Sequence, residues 1–157
     1  MINRATSYLH YQDKMDLLRL LEDEVLAGIE NILQPVTREY VEGCRREGIP
    51  FPHIVELLSY VQANAGFFIL MVRYNTDSSF FKRVGAHIYH RIFQVIFPEL
   101  KSKALFSGCA KNMMVAVVGS IVNQWLTAGM QESKEEIAML MTRMALALPA
   151  GFQAGVQ

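Results

Sequence analysis

His87 and His90 stand three positions apart, a spacing that on a helix puts both imidazoles on one face, within reach of a common metal or ligand. No third ligand is visible near them, so the pair reads more readily as one histidine in a core wall and one at the surface. Cys44 and Cys109 follow no CxxC or Cys/His spacing and read as ordinary thiols of a reducing cytoplasm, neither a disulfide nor a zinc site. The chain contains no GxSxG elbow, phosphate-binding loop, HExxH or ExxH pair. Enzymatic chemistry is therefore not expected, and neither a metal nor a cofactor is called for.

A second group of residues suits binding better than catalysis. Ten of the sixteen aromatic side chains fall between Tyr60 and Phe106: Tyr60, Phe67, Phe68, Tyr74, Phe80, Phe81, Tyr89, Phe93, Phe97 and Phe106. Large rings mixed with Met71, Met113 and Met114 either fill a core or, packing less uniformly than aliphatic side chains, line a cavity. In the second case Phe67, Phe68, Met71, Phe93, Met113 and Met114 form a deformable wall. Tyr60, Asn64, Tyr74, His87 and His90 are then the polar groups that orient a small apolar or aromatic effector. Between Arg73 and Lys103 six basic residues face only Asp77 and Glu99, an excess that suits an anionic ligand or a solvated face.

These residues must be positioned by helices. A chain of 157 residues, 52% hydrophobic and 19% charged, can bury one core, and its net charge of zero gives no general attraction for nucleic acid or anionic membrane. Met1 to Asp13 lacks the basic lead and apolar run of a secretory signal, so a cytoplasmic location is expected. Asn112 to Gln131 is uncharged over a bilayer's length, yet Asn112, Ser120, Asn123, Gln124, Thr127 and Gln131 would need partners in lipid; it reads as a buried helix.

Apolar spacing predicts helices over Asp13–Gln34, Pro52–Tyr74, Asp77 to Ile96 or Phe97, Ala104–Ala128 and Lys134–Leu148, with a short one inside Val36–Glu47. Asp77 is a candidate cap, and Ser133 with Glu136 forms an S-x-x-E capping box. The tail after Pro149 is expected to fray. Ala116, Gly119, Ser120 and Asn123 place small side chains along one side of a helix. With Ile137, Leu140, Met141 and Met144 on the next, they predict the interface of a twofold homodimer.

The opening Asn3-Arg-Ala-Thr-Ser-Tyr-Leu-His-Tyr-Gln-Asp-Lys-Met-Asp-Leu-Leu18 resembles a run close to N-R-x-T-F-Y-x-H-[FY]-x-x-K-x-x-L-[LF]. That run closes the helix-turn-helix of the TetR/AcrR transcriptional regulators and enters the helix connecting reader to regulatory domain. Val118 to Met130, followed by Gln131 to Ile137, is similar to the last two helices of that regulatory domain. Tyr60, Asn64, Phe67, Phe68, Asp77 and Phe80 also suit the pattern.

The resemblance implies an all-α, TetR-like C-terminal ligand-binding and dimerisation bundle: a recognition-helix remnant over 1–12, the bundle over 13–149 and a flexible tail over 150–157. It implies DNA contacts for Thr6 and Tyr8 and a phosphate contact for Lys14, with Asn3 and Arg4 nearby. The family's first two helices and the start of its third would precede Met1, and Ser7 replaces the usual Phe. Residues 1–34 hold three basic against six acidic side chains, which opposes phosphate binding. Operator binding is therefore expected of the intact family form and not of this chain. The rival readings are a helical metal- or ligand-binding protein or enzyme using His87 and His90, and a dimerisation module that titrates an intact paralogue.

Overall fold

The computed structural model describes residues 4–33, 36–74, 79–93, 95 and 104–153, and among them every regular element is a helix. The first, α1 (Arg4–Leu33), runs without a break across Asp13, where the sequence reading set its start. α2 (Arg38–Glu47) begins at Thr37, whose hydroxyl accepts from the Tyr40 amide at 3.3 Å, and ends at Gly48. Gly48 takes the left-handed conformation, φ 66°, that glycine adopts without strain at a helix end.

The single helix expected over Pro52–Tyr74 is two: α3 (Pro52–Ala63) and α4 (Ala65–Tyr74), bent by 80°. The cause is Asn64. Its side-chain amide donates to the Tyr60 carbonyl at 2.9 Å, and its backbone N–H is shared between the Tyr60 and Val61 carbonyls. Asparagine competes in this way with the helical ladder, and here the tightened turn ends it.

α5 (Ser79–Ile88) passes into a π-helical turn over Tyr89–Phe93; the proposed Asp77 cap and the 96–97 terminus lie outside the described residues. α6 (Ala104–Thr127) matches its expected span to within a residue. α7 (Lys134–Gln153) starts at the expected capping box, with the Ser133 amide donating to Glu136 Oε2 at 2.9 Å and the Glu136 amide to Ser133 Oγ at 3.2 Å. It overruns its predicted end at Leu148. The helical span runs through Pro149 to Gln153, although an interior proline removes a hydrogen bond and crowds the carbonyl of the preceding turn.

α3 lies between α1 and α7, α5 packs on α1 and α6, and α4 and α7 lean on α6. The sequence spacing explains which faces meet: Ile29 and Leu33 of α1, Leu58 of α3, Phe80 of α5 and Phe51 just before α3 are wholly buried. Gly85 on α5 allows a close approach, since a Cβ there would overlap the Val115 methyls of α6. Gly28 does the same for the Tyr60 ring against α1.

No single helix among the described residues is long and apolar enough to cross a membrane. The bent α3–α4 pair has the length and composition for it, but Ile54, Leu57, Leu58, Val61, Phe68 and Met71 are buried in the bundle core.

Candidate functional site

Five helices enclose an apolar cavity. On α6 two adjacent rows at four-residue spacing face it: Met114, Val118, Val122 and Leu126, and Val115, Gly119 and Asn123. Phe81, Val84, Gly85 and Ile88 of α5 stand opposite, at the three- and four-residue intervals of one helical face. Leu57 and Val61 of α3 and Phe68 and Val72 of α4 complete the wall, and Ile29 brings in α1. The space open to a water-sized sphere is about 70 Å³. At 10–15 Å³ per water on this measure, it holds roughly five to seven non-hydrogen atoms.

The cavity is a poor place for charge, because its described wall offers no ionised group to pair with one. Among the described lining residues the one polar side chain is Asn123. The Asn123 Oδ1 atom is shielded from solvent and accepts no hydrogen bond from any described group. Chemically the described wall suits a compact neutral molecule.

Polar contacts lie instead on the rim, between α1 and α5. Arg83 pairs with Glu22 at 3.5 Å and with Asp23, and His87 Nδ1 lies 2.9 Å from Glu30 Oε1. These contacts bracket Ile29, the α1 side chain in the cavity wall. Glu22 is buried, and Arg83 is the partner that makes its burial tolerable.

Of the pocket residues expected from sequence, the structure brings Phe68 and Met114 to the cavity. Phe67 packs edge-on against Phe68 and Phe80 with ring centroids 5.5 and 5.4 Å away. Met71 is buried elsewhere in the core, and Met113 is 45% exposed. Tyr60 lies on Gly28 of α1, where burial, with help from Glu24, raises the pKa of its hydroxyl; Asn64 closes the α3–α4 bend. The side chains of Tyr74 and Phe93 lie outside the described residues.

His87 and His90 do not converge: His87 turns to Glu30, while His90 sits exposed in the π-helical turn against Tyr89. The wider turn breaks the three-residue register that would have aligned them. No cluster of three His, Cys, Asp or Glu suited to a metal occurs among the described residues.

Sequence reading favoured rings and missed the aliphatic wall, whose signal was the four-residue recurrence from Met114 to Leu126 and the lone Gly85. Of the eight residues expected at a dimer interface, Ala116, Gly119, Ser120, Leu140 and Met144 are exposed. Ile137 and Met141 point into the protomer, and Asn123 belongs to the cavity wall. Among the residues aligned with DNA contacts, Asn3 and the side chains of Arg4, Thr6 and Tyr8 lie outside the described residues, and Lys14 is exposed.

No curated protein and no solved structure matches the chain. A family model does: TetR_C_8, the transcriptional regulator C-terminal region, matches residues 50–146, from the start of α3 to the last turns of α7. That span covers well over half of the chain and every lining residue of the cavity except Ile29. An all-helical bundle with an apolar internal cavity and a matching family pattern make this chain a member of the TetR-type transcriptional regulators, carrying their C-terminal region.

Proposed function

We propose that this chain is the effector-sensing and dimerisation domain of a TetR-like transcriptional repressor, acting in the cytoplasm. The observation that carries the reading is the position of Ile29: the helix that resembles the connection to a DNA reader forms one wall of the apolar cavity. A molecule lodged between α1, α5 and α6 would press on α1 and change its angle. In the intact family form, with two readers held at a fixed separation, operator affinity would then fall by linkage. Operator DNA is a partner of that form; for residues 1–34 the net negative charge disfavours it.

The second half of the reading is a homodimer joined through α6 and α7, supported by the exposure of Met113, Leu140 and Met144 beside Ala116, Gly119 and Ser120. The effector is small and apolar, because the wall is. A thermal-shift screen with aromatic and aliphatic compounds of up to about seven non-hydrogen atoms tests this. A compound at a hundred times its Kd stabilises the fold by about 2.7 kcal/mol, a rise of several degrees in Tm. Val122→Phe fills the cavity and should abolish the shift while the protein still melts cooperatively. A shift that survives Val122→Phe places the binding site elsewhere and overturns the reading.

A further inference from the structure

Among the described residues the cavity wall is hydrocarbon except at Asn123, whose side-chain oxygen has neither solvent nor any described donor. A buried carbonyl oxygen left unpaired is costly, and most such groups in folded proteins have a partner. The nearby donors are committed: the Thr127 hydroxyl bonds the Asn123 and Gln124 carbonyls at 2.8 and 3.2 Å, and the Trp125 indole bonds the Glu132 carbonyl at 2.9 Å. An aliphatic side chain at this position would continue the row of Val115 and Gly119 without that cost.

We propose that Asn123 is the specificity residue of the cavity and that the ligand it selects is a compact neutral hydroxyl compound, a phenol or small alcohol. Asn123 Oδ1 is covered from water, so a turn of the side chain brings it to the cavity, where the hydroxyl donates to it and the hydrocarbon body fills the space between Val84, Ile88, Val118 and Val122. The proposal rests on the cavity being the effector site. It adds that binding is decided by one hydrogen bond, which a hydrocarbon of the same shape cannot make. A charged relative such as a carboxylate is rejected, because nothing in the wall compensates an ion.

The test uses the full chain and three probes within the cavity's capacity: phenol, toluene and the acceptor-only pyridine, neutral at pH 7.5, with Kd from calorimetry. The Kd ratio of toluene to phenol should fall about tenfold from the wild type to Asn123→Leu, a comparison that cancels the different hydration of the two probes. Independently of any variant, phenol should move the Asn123 side-chain amide resonances further than toluene, which shifts them only through its ring current. An unchanged ratio, or a preference for pyridine that depends on Asn123, overturns the specificity role and leaves the cavity as a binding site. If none of the three probes binds at millimolar concentration, the cavity reading falls and this proposal with it.

Discussion

Among the described residues two side chains hold buried polar atoms without a hydrogen bond, and they differ in what surrounds them. Asn123 belongs to the wall of the cavity; His53, 4% exposed on the first turn of α3, is stacked 5.5 Å from Phe51 and tilted 5.7 Å from Tyr40. Neither ring nitrogen of His53 has a hydrogen bond among the described residues, and its backbone N–H donates to the Tyr40 hydroxyl at 3.2 Å. Burial lowers the pKa of His53 to about 4. The folded state therefore keeps the ring neutral while the unfolded chain takes up a proton below about pH 6.5. This stability is fully present above pH 6.5 and is lost as the pH falls through 4. Between pH 7 and pH 5 the linkage amounts to about 2 kcal/mol. His53→Phe, which keeps a ring in the stack, should flatten that part of the pH profile in urea unfolding. Parallel profiles for the two proteins would show that His53 is hydrated or paired when folded.

The helices are joined by contacts between residues far apart in sequence, and these decide how much of the architecture could be anticipated. Spacing alone located α6 and the start of α7, because the i, i+4 rows and the Ser133–Glu136 box are local patterns. It merged α3 with α4, since apolar residues run through both and only the Asn64 side chain breaks the ladder. It also turned the cavity wall by choosing aromatic residues, when Phe67 and Phe80 pack on each other and the Val118–Val122 row faces the space. The docking of α7 on α3 was out of reach of any local reading. It includes a hydrogen bond from the Phe51 amide to the Thr142 hydroxyl at 3.0 Å, across 91 positions of chain. Phe51 precedes the first turn of α3 without a side-chain cap, and both partners of this bond are buried. Thr142→Val keeps the shape and strands the Phe51 N–H, so it should cost about 1–3 kcal/mol in urea unfolding, while Thr142→Ser keeps the hydroxyl and costs less. Equal losses in the two variants would mean that Thr142 acts only by packing.

At the scale of the whole molecule, the surface beside the cavity is as informative as the cavity. Met113, Leu140 and Met144 are 45, 46 and 37% exposed and lie on the same side of α6 and α7 as Ala116, Gly119 and Ser120, whose small side chains leave room for another helix. A groove lined by Ser120, Ile121, Trp125, Ile137 and Leu140 runs between the two helices. A second copy laid across this face would give a four-helix bundle with twofold symmetry. Light scattering at micromolar concentration should then report twice 17.8 kDa, and Tm should rise with protein concentration. Leu140→Arg, at a groove position remote from the cavity wall, should give a monomer of 17.8 kDa with a concentration-independent Tm. Gly119 is both exposed on this face and part of the cavity wall, so the partner would cover the outer side of the binding space. Dimerisation and ligand binding are then linked, and each must strengthen or weaken the other by the same factor. A ligand that stabilises the wild type should bind Leu140→Arg more weakly. Equal affinity for the two would separate the cavity from the interface and leave α1 as the only element through which the ligand acts.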